Sequence, residues 1–342
     1  MKQVLFFFIG SFLCLNLTIG QQNSVEIRHS FPAASIQIVE ARTMGGGITV
    51  TGSAESQATV EVRVSGNNRL SENRIREILE EKYQIDVRVE NGKLIAAARV
   101  RENINIGNQD GLSISFTINV PRNVNSDLQT MGGGIGISNL SGGTQNFQTM
   151  GGGLSVENVS GNITGRTMGG GISLGNSQGN INLQTNGGGV SAQNSGGTIT
   201  LRTLGGGLTL NNLNGTIEAN TNGGGITAND IQGSLNTRTL GGGVTINRLS
   251  GNVDASTLGG AMSVEVLSAN EFVRVSGTNG NVTLILPANQ GYNLNVRSSN
   301  RITTSRLQNF NGDANERNIN GTVGNGGTAV EVQAQNVNLN FR

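Results

Sequence analysis

The chain has 342 residues, with 23 Lys+Arg against 22 Asp+Glu and a net charge of +1. That balance leaves no bulk field to recruit nucleic acid or an anionic membrane. Glycine is abundant at 53 residues, while 10 Phe, 2 Tyr and no Trp leave Ile, Leu and Val to build a thin core.

Residues 1–20 read as a signal peptide. Lys2 supplies the positive end, Val4 to Leu17 are mostly apolar, and Thr18-Ile19-Gly20 places small residues ahead of a cleavage site before Gln21. The stretch is short for a membrane span, and a retained N-terminal anchor is the alternative. No later segment is apolar enough to cross a membrane. Export is expected, to the periplasm, the outer-membrane surface or the extracellular space. Cys14, the one cysteine, lies inside this stretch after Ser11-Phe12-Leu13, which is not a lipidation context. The mature chain then has no thiol for disulfides, metal or nucleophilic catalysis.

Residues 21–128 are expected to form a β-rich flank or cap. Val25 to Ile27, Ile36 to Ile38, Val60 to Val64 and Ile85 to Val89 alternate as strands do. The stretch at about 71–83 is the one helix: Ser71 can cap it, and Ile75, Ile78 and Leu79 make one apolar stripe. This helix is predicted to cover the open N-terminal end of the strand array. Asn91-Gly92 marks a turn.

Residues 129–274 carry a regular repeat. Thr-Met-Gly-Gly-Gly begins at Thr43, Thr130, Thr149 and Thr167, Thr-Asn-Gly-Gly-Gly at Thr185 and Thr221, and Thr-Leu-Gly-Gly-Gly at Thr203 and Thr239. From Thr149 to Thr257 the spacing is 18 residues without a slip. Each unit divides into two nonapeptides with one scheme: apolar at position 2, Gly at 4, apolar at 6, small or apolar at 8. Positions 6 and 8 alternate with polar neighbours, as on a strand with one buried face. The glycines are expected to supply positive φ for sharp turns. Stacking of successive copies would bury the apolar side that one unit cannot bury alone.

A longer modulation bears on coil length. Arg166, Arg202 and Arg238 alternate with Gln148, Gln184 and Asn220, a 36-residue period. An 18-residue coil stacks each Arg on a neutral amide, whereas a 36-residue coil stacks Leu on Leu but Arg on Arg about 5 Å away. Charge favours 18 and apolar matching favours 36; the reading taken is 18. Residues 275–342 are expected to be degenerate repeats and a cap, closed by the strands at 329–332 and 337–341. The fold class is therefore all-β: a single-stranded β-solenoid, right-handed β-helix or β-roll-like, of 18-residue coils made of two nonapeptide strands.

Ile118 to Pro121, the Leu128-x-Thr130-x-Gly-Gly-Gly repeats, Leu284-Ile285-Leu286-Pro287-Ala288 and Gly291-Tyr292-x-Leu294-x-Val296-x-Ser298-Ser299-Asn300 follow one another along the chain. Together they resemble a bacterial family of adhesin-like, exported β-strand-repeat proteins, over most of residues 110–342. The resemblance implies export and a β-helical fold, and brings no catalytic residues. The Thr-x-Gly-Gly-Gly units here are more regular than the family's repeats.

Sites for chemistry are scarce. Eight glycine runs between strands, with no Gly-Lys-Ser/Thr, are turns rather than phosphate cradles. No Asp recurs after the glycines, so the calcium β-roll scheme is absent, and no metal or cofactor is expected. Glu218 and Asp254 would lie two rungs apart, about 10 Å, which is near an inverting glycosidase pair in distance alone. His29 is the only histidine and is expected on a strand surface. Arg166, Arg202 and Arg238 are the candidate contacts for an anionic glycan or polymer, set against simple solubilising ends of strands. The expected function is a non-catalytic, adhesin-like structural or binding module of the cell envelope. No partner is identified by the sequence; the candidates are a cell-surface glycan, an envelope polymer or another copy of itself. An envelope-stress or signalling scaffold and a β-helical glycan-active enzyme are the competing classes.

Overall fold

The computed structural model describes residues 24–342 apart from 68, 69, 105, 108, 109 and 306. The signal peptide read at 1–20, with Cys14, lies outside the described residues. The described chain is all-β: 23 strands join in one long, unclosed and mostly parallel sheet, accompanied by a single α-helix and one short 3-10 turn.

Successive repeats pair in parallel with a constant offset. Val190 lies beside Leu208, Leu208 beside Ile226 and Ile226 beside Val244. In the second half of the unit Ile199, Ile217, Leu235 and Val253 form the matching row. Each of these residues is at most 3% exposed, so period-two alternation becomes two continuous buried rows. The first unit is one residue longer: Ile135 pairs with Leu154, and a bulge between Ser141 and Thr144 absorbs the extra residue. Phe147 occupies the space above Gly165, where a Cβ would stand 2.2 Å from its ring. One large residue is thus matched by the smallest on the next rung.

The glycines serve two different purposes, and this corrects the uniform turn reading. No glycine of the Thr-x-Gly-Gly-Gly runs has positive φ. The middle one is required by contact: a Cβ on Gly206 would lie 2.2 Å from the carbonyl oxygen of Gly188 on the neighbouring rung. Positive φ belongs to the second nonapeptide, as at Gly215 with φ 108°. It belongs also to the corner residues Asn158, Asn176, Asn194, Asn212, Asp230 and Arg248. Asn and Asp tolerate this left-handed conformation better than most residues. Their side chains also link rungs, as where Asn212 Nδ2 donates to Asn194 Oδ1 at 2.9 Å.

The two nonapeptides are likewise not equivalent at position 2. In the second, Leu213, Ile231 and Leu249 are buried, whereas in the first, Leu204 and Leu240 face solvent. The following glycine turn swings that residue onto a corner of the stack.

The helix spans Glu72–Lys82, and the Ser71 hydroxyl accepts from the Arg74 amide at 3.3 Å. Ile75 and Ile78 are fully buried, and the helix packs on the strands Ser24–Pro32 and Tyr83–Glu90. Each of those strands pairs on one side only, with Gln57–Ser65 and Lys93–Val100 respectively. The helix therefore lies over the N-terminal end of the array. Asn91 and Gly92, both at positive φ, turn Tyr83–Glu90 back onto its antiparallel neighbour.

The C-terminal end departs from chain order. The last strand, Thr328–Phe341, is not the outermost one. It lies between Met262–Leu286 and Tyr292–Thr304, parallel to both. The end is closed instead by Phe310–Ala314 and Asn318–Val323, an antiparallel pair added beyond Tyr292–Thr304. Apolar alternation marks 329–332 and 337–341 as strands but carries no information about which neighbour each one chooses, and the polar, Asn/Gly-rich stretch that holds the closing pair has no such alternation. Tyr292 is fully buried there and donates to the Pro287 carbonyl at 2.7 Å. Burial pushes its phenol up to about 12.

Candidate functional site

The offset of the rungs arranges outward residues into straight rows. One row runs Gln148, Arg166, Gln184, Arg202, Asn220, Arg238 and Ser256, each beside the next. The three arginines are exposed and separated by one neutral rung, which puts them roughly 10 Å apart. At each end the row continues without a carboxylate, through Gln129 and Arg42 on one side and Ser276, Gln333 and Arg297 on the other.

A second row, two residues upstream, carries the acids. It includes Thr200, Glu218, Asn236, Asp254, Arg274 and Glu331. Arg202 crosses to Glu218 at 2.6 Å, and Arg274 lies 3.5 Å from Glu331 and 4.5 Å above the Phe272 ring. Arg42 reaches Asp127 at 3.1 Å in the same way. Among the described residues, Arg166 and Arg238 form no ion pair and no side-chain hydrogen bond, so their charges are not spent internally. Asn220, between Arg202 and Arg238, gives its amide to Glu218 at 2.8 Å. Its Oδ1 is buried without a partner, the one such side-chain atom among the described residues.

Glu218 and Asp254 do lie two rungs apart in one row, with Asn236 between them. Glu218 is already held by Arg202 and Asn220. No group of three or more His, Cys, Asp or Glu suited to a metal occurs among the described residues. His29 lies on the strand Ser24–Pro32 and stacks on Phe31, with ring centroids 6.4 Å apart.

The Thr-x-Gly-Gly-Gly run itself, just downstream of the arginine row, builds a different surface, which the sequence reading did not single out. The x positions form an exposed apolar ridge. Met44, Met131, Met150 and Met168, then Leu204, Leu240 and Leu258, are 37–53% exposed. Asn186 and Asn222 interrupt it. Three residues downstream lies a groove of about 830 Å³, floored by Gly134, Gly153, Gly171, Gly189 and Gly207. Its polar side is a row that includes Ser155, Ser173, Ser191 and Thr209. The signal in the sequence was Asn186 and Asn222 at the position that Met168, Leu204 and Leu240 hold in other repeats, because a buried row excludes an unpaired amide.

No family model matches the sequence, and no curated protein matches it. Among solved structures, a provisionally named cell adhesion protein from Clostridium sporogenes aligns over 94% of this chain and 100% of its own, at 11% identity and a TM-score of 0.21. A provisionally named adhesin from Bacteroides fragilis aligns over 92% of this chain and 96% of its own, at 13% identity and a TM-score of 0.30. Both of these structures are named for adhesion. Scores this low transfer no site and no ligand.

Proposed function

We propose that this protein is an exported, non-catalytic binding module of the cell envelope that grips an acidic polymer along its arginine row. The observation that carries this reading is the line of Arg166, Arg202 and Arg238 at two-rung spacing, with no carboxylate in the row and two of the three charges unpaired. A linear polymer with an anionic group about every 10 Å would meet one arginine per group. Each contact at an exposed site is weak, and repetition along one chain raises the overall affinity. Acidic glycans of the cell surface have this character.

The same pairing supports a β-solenoid with 18-residue coils as the scaffold. A coil of that length brings every Arg beside an amide, and the observed neighbours of Arg202 are Gln184 and Asn220. In this reading residues 1–20 are a leader, 21–128 an N-terminal cap, 129–274 the repeat rod and 275–342 its C-terminal closure. Rigidity suits binding to a polymer, because the arginines are spaced by backbone hydrogen bonds rather than by mobile loops. No helix among the described residues is long and apolar enough to cross a membrane.

The test is a binding screen against acidic and neutral glycans, with wild type beside the Arg166→Gln, Arg202→Gln, Arg238→Gln triple variant. The expected result is binding to acidic polymers that weakens with salt and is lost in the variant. Binding that the triple variant retains, or a preference for neutral polymers, overturns the reading.

A further inference from the structure

The ridge and the groove belong to the same turn of each repeat from Met131 to Thr209, and one projects where the other recedes. The ridge projects Met and Leu side chains from one corner of the stack, whereas the groove three residues on is floored by glycines that project nothing. From the x residue to the Ser/Thr row, no unit between Thr130 and Thr245 carries a charged side chain. Monomeric proteins rarely expose so many aligned apolar side chains on one face, and depletion of charge marks the centre of protein interfaces.

We propose that this face is the contact between two copies of the chain, related by a twofold axis parallel to the stack. The choice of axis follows from geometry. Rotation about that axis exchanges left and right across the face and leaves the rungs at their own height. The ridge of one copy then faces the groove of the other, twice, and rung opposes identical rung. A twofold axis across the stack would instead set ridge against ridge and leave both grooves empty.

Because both copies repeat at the same rung spacing of about 4.8 Å, the match holds along the groove from Gly134 to Gly207. Asn186 and Asn222 do not spoil it. Each reaches the partner's Ser/Thr row, where its amide finds a hydroxyl to bond. Met131, Met150, Met168 and Leu204, the four ridge side chains opposite this groove, and the glycine floor they cover remove on the order of 1,000 Å² from water in total, at the lower limit for a specific interface. The arginine row, just upstream of the ridge, stays at the rim and remains open to a polymer.

Sedimentation velocity of the purified protein over a dilution series tests this with two charge variants. One carries Met168→Lys and Leu204→Lys on the ridge, and the other Ser173→Glu and Thr209→Glu on the groove of the same rungs. All four positions face solvent in the single chain, so both variants should fold and keep the far-ultraviolet circular dichroism spectrum of the wild type. The wild type is expected at twice the chain mass and each variant alone at the chain mass. An equal mixture should return to double mass, because one native contact is restored and the other becomes Lys against Glu. A wild type that stays monomeric at every concentration overturns the proposal. So does a dimer that survives the groove substitutions, or a mixture that fails to associate. None of these outcomes depends on polymer binding.

Discussion

Thr239 Oγ1 donates a 2.7 Å hydrogen bond to the carbonyl of Gly224, fifteen residues earlier on the preceding rung. The same oxygen accepts from the Gly242 amide of its own turn at 3.2 Å. One buried hydroxyl thus ties two successive glycine turns together. The bond to the preceding glycine recurs at Thr149, Thr167, Thr185, Thr203, Thr221 and Thr257. This explains the invariance of Thr at the first position of the repeat better than strand preference does, since Val would pack as well.

Replacing Thr239 with Val keeps the shape and removes both bonds. The Gly224 carbonyl and the Gly242 amide are left short of a partner in a water-poor site, a loss of about 1–3 kcal/mol. Thr239→Ser should recover most of it. Urea denaturation of the two variants beside wild type reads the difference, and equal midpoints for Val and Ser would remove the stapling role.

The glycine run makes a positional prediction. At Gly206 an added Cβ would stand 2.2 Å from the Gly188 oxygen, whereas at Gly205 the closest atom is the Gly187 oxygen at 3.4 Å. Neither has positive φ. Gly206→Ala must therefore push two rungs apart and should lose about 3 kcal/mol or more, beyond the usual range for overpacking. Gly205→Ala should stay within about 1 kcal/mol of wild type, because Ala also has the lower unfolded-state entropy. Similar losses at both positions would mean that backbone conformation, not contact, selects glycine.

These two cases show how much was legible in the sequence. Period-two alternation at Leu208, Leu210 and Ile217 identified the buried faces, and the repeat length set the neighbour of each residue. The N-terminal helix was legible from Ser71 and the Ile75/Ile78 stripe. What was not legible depends on proximity between distant residues. The clash at Gly206 involves Gly188, and the insertion of Thr328–Phe341 beside Met262–Leu286 involves a choice among several equally apolar strands. The arginine row was visible as a 36-residue modulation. Its acid neighbours were not, because Glu218 meets Arg202 only through the next rung.

Leu210 tests the packing directly. It is fully buried, with Ala192 and Ala228 on the rungs to either side. Leu210→Asp places a carboxylate among aliphatic side chains with no cation in reach, at a cost of several kcal/mol. The repeat region should unfold at markedly lower temperature by circular dichroism. Thr216→Asp, six residues away at an exposed strand position, should leave the midpoint within a degree or two. A Leu210→Asp protein as stable as wild type would contradict the buried row.

The helix that covers the N-terminal end should respond to pH at both extremes. Lys82, in its last turn, donates to Asp110 at 2.7 Å, and Arg74 approaches the same carboxylate at 3.7 Å. The hydrogen bond from Lys82 holds the Asp110 carboxyl below its ordinary value of 3.8, and the same bond holds the Lys82 ammonium above its ordinary 10.5. Lowered in the folded state, Asp110 contributes stability that is complete above 3.8 and is lost as pH falls through the folded value. Lys82 is raised, so its contribution is complete below 10.5 and is lost as pH rises through the folded value. Amide exchange across residues 72–82 should accelerate on acidification below about pH 4 and again in strong alkali, relative to exchange in the central rungs. Asp110→Asn should make exchange in this segment faster at neutral pH and flatten both dependences, because the partner whose charge each one senses is gone. If the variant kept the wild-type pH profile, the docking of the helix would rest on Ile75 and Ile78 alone.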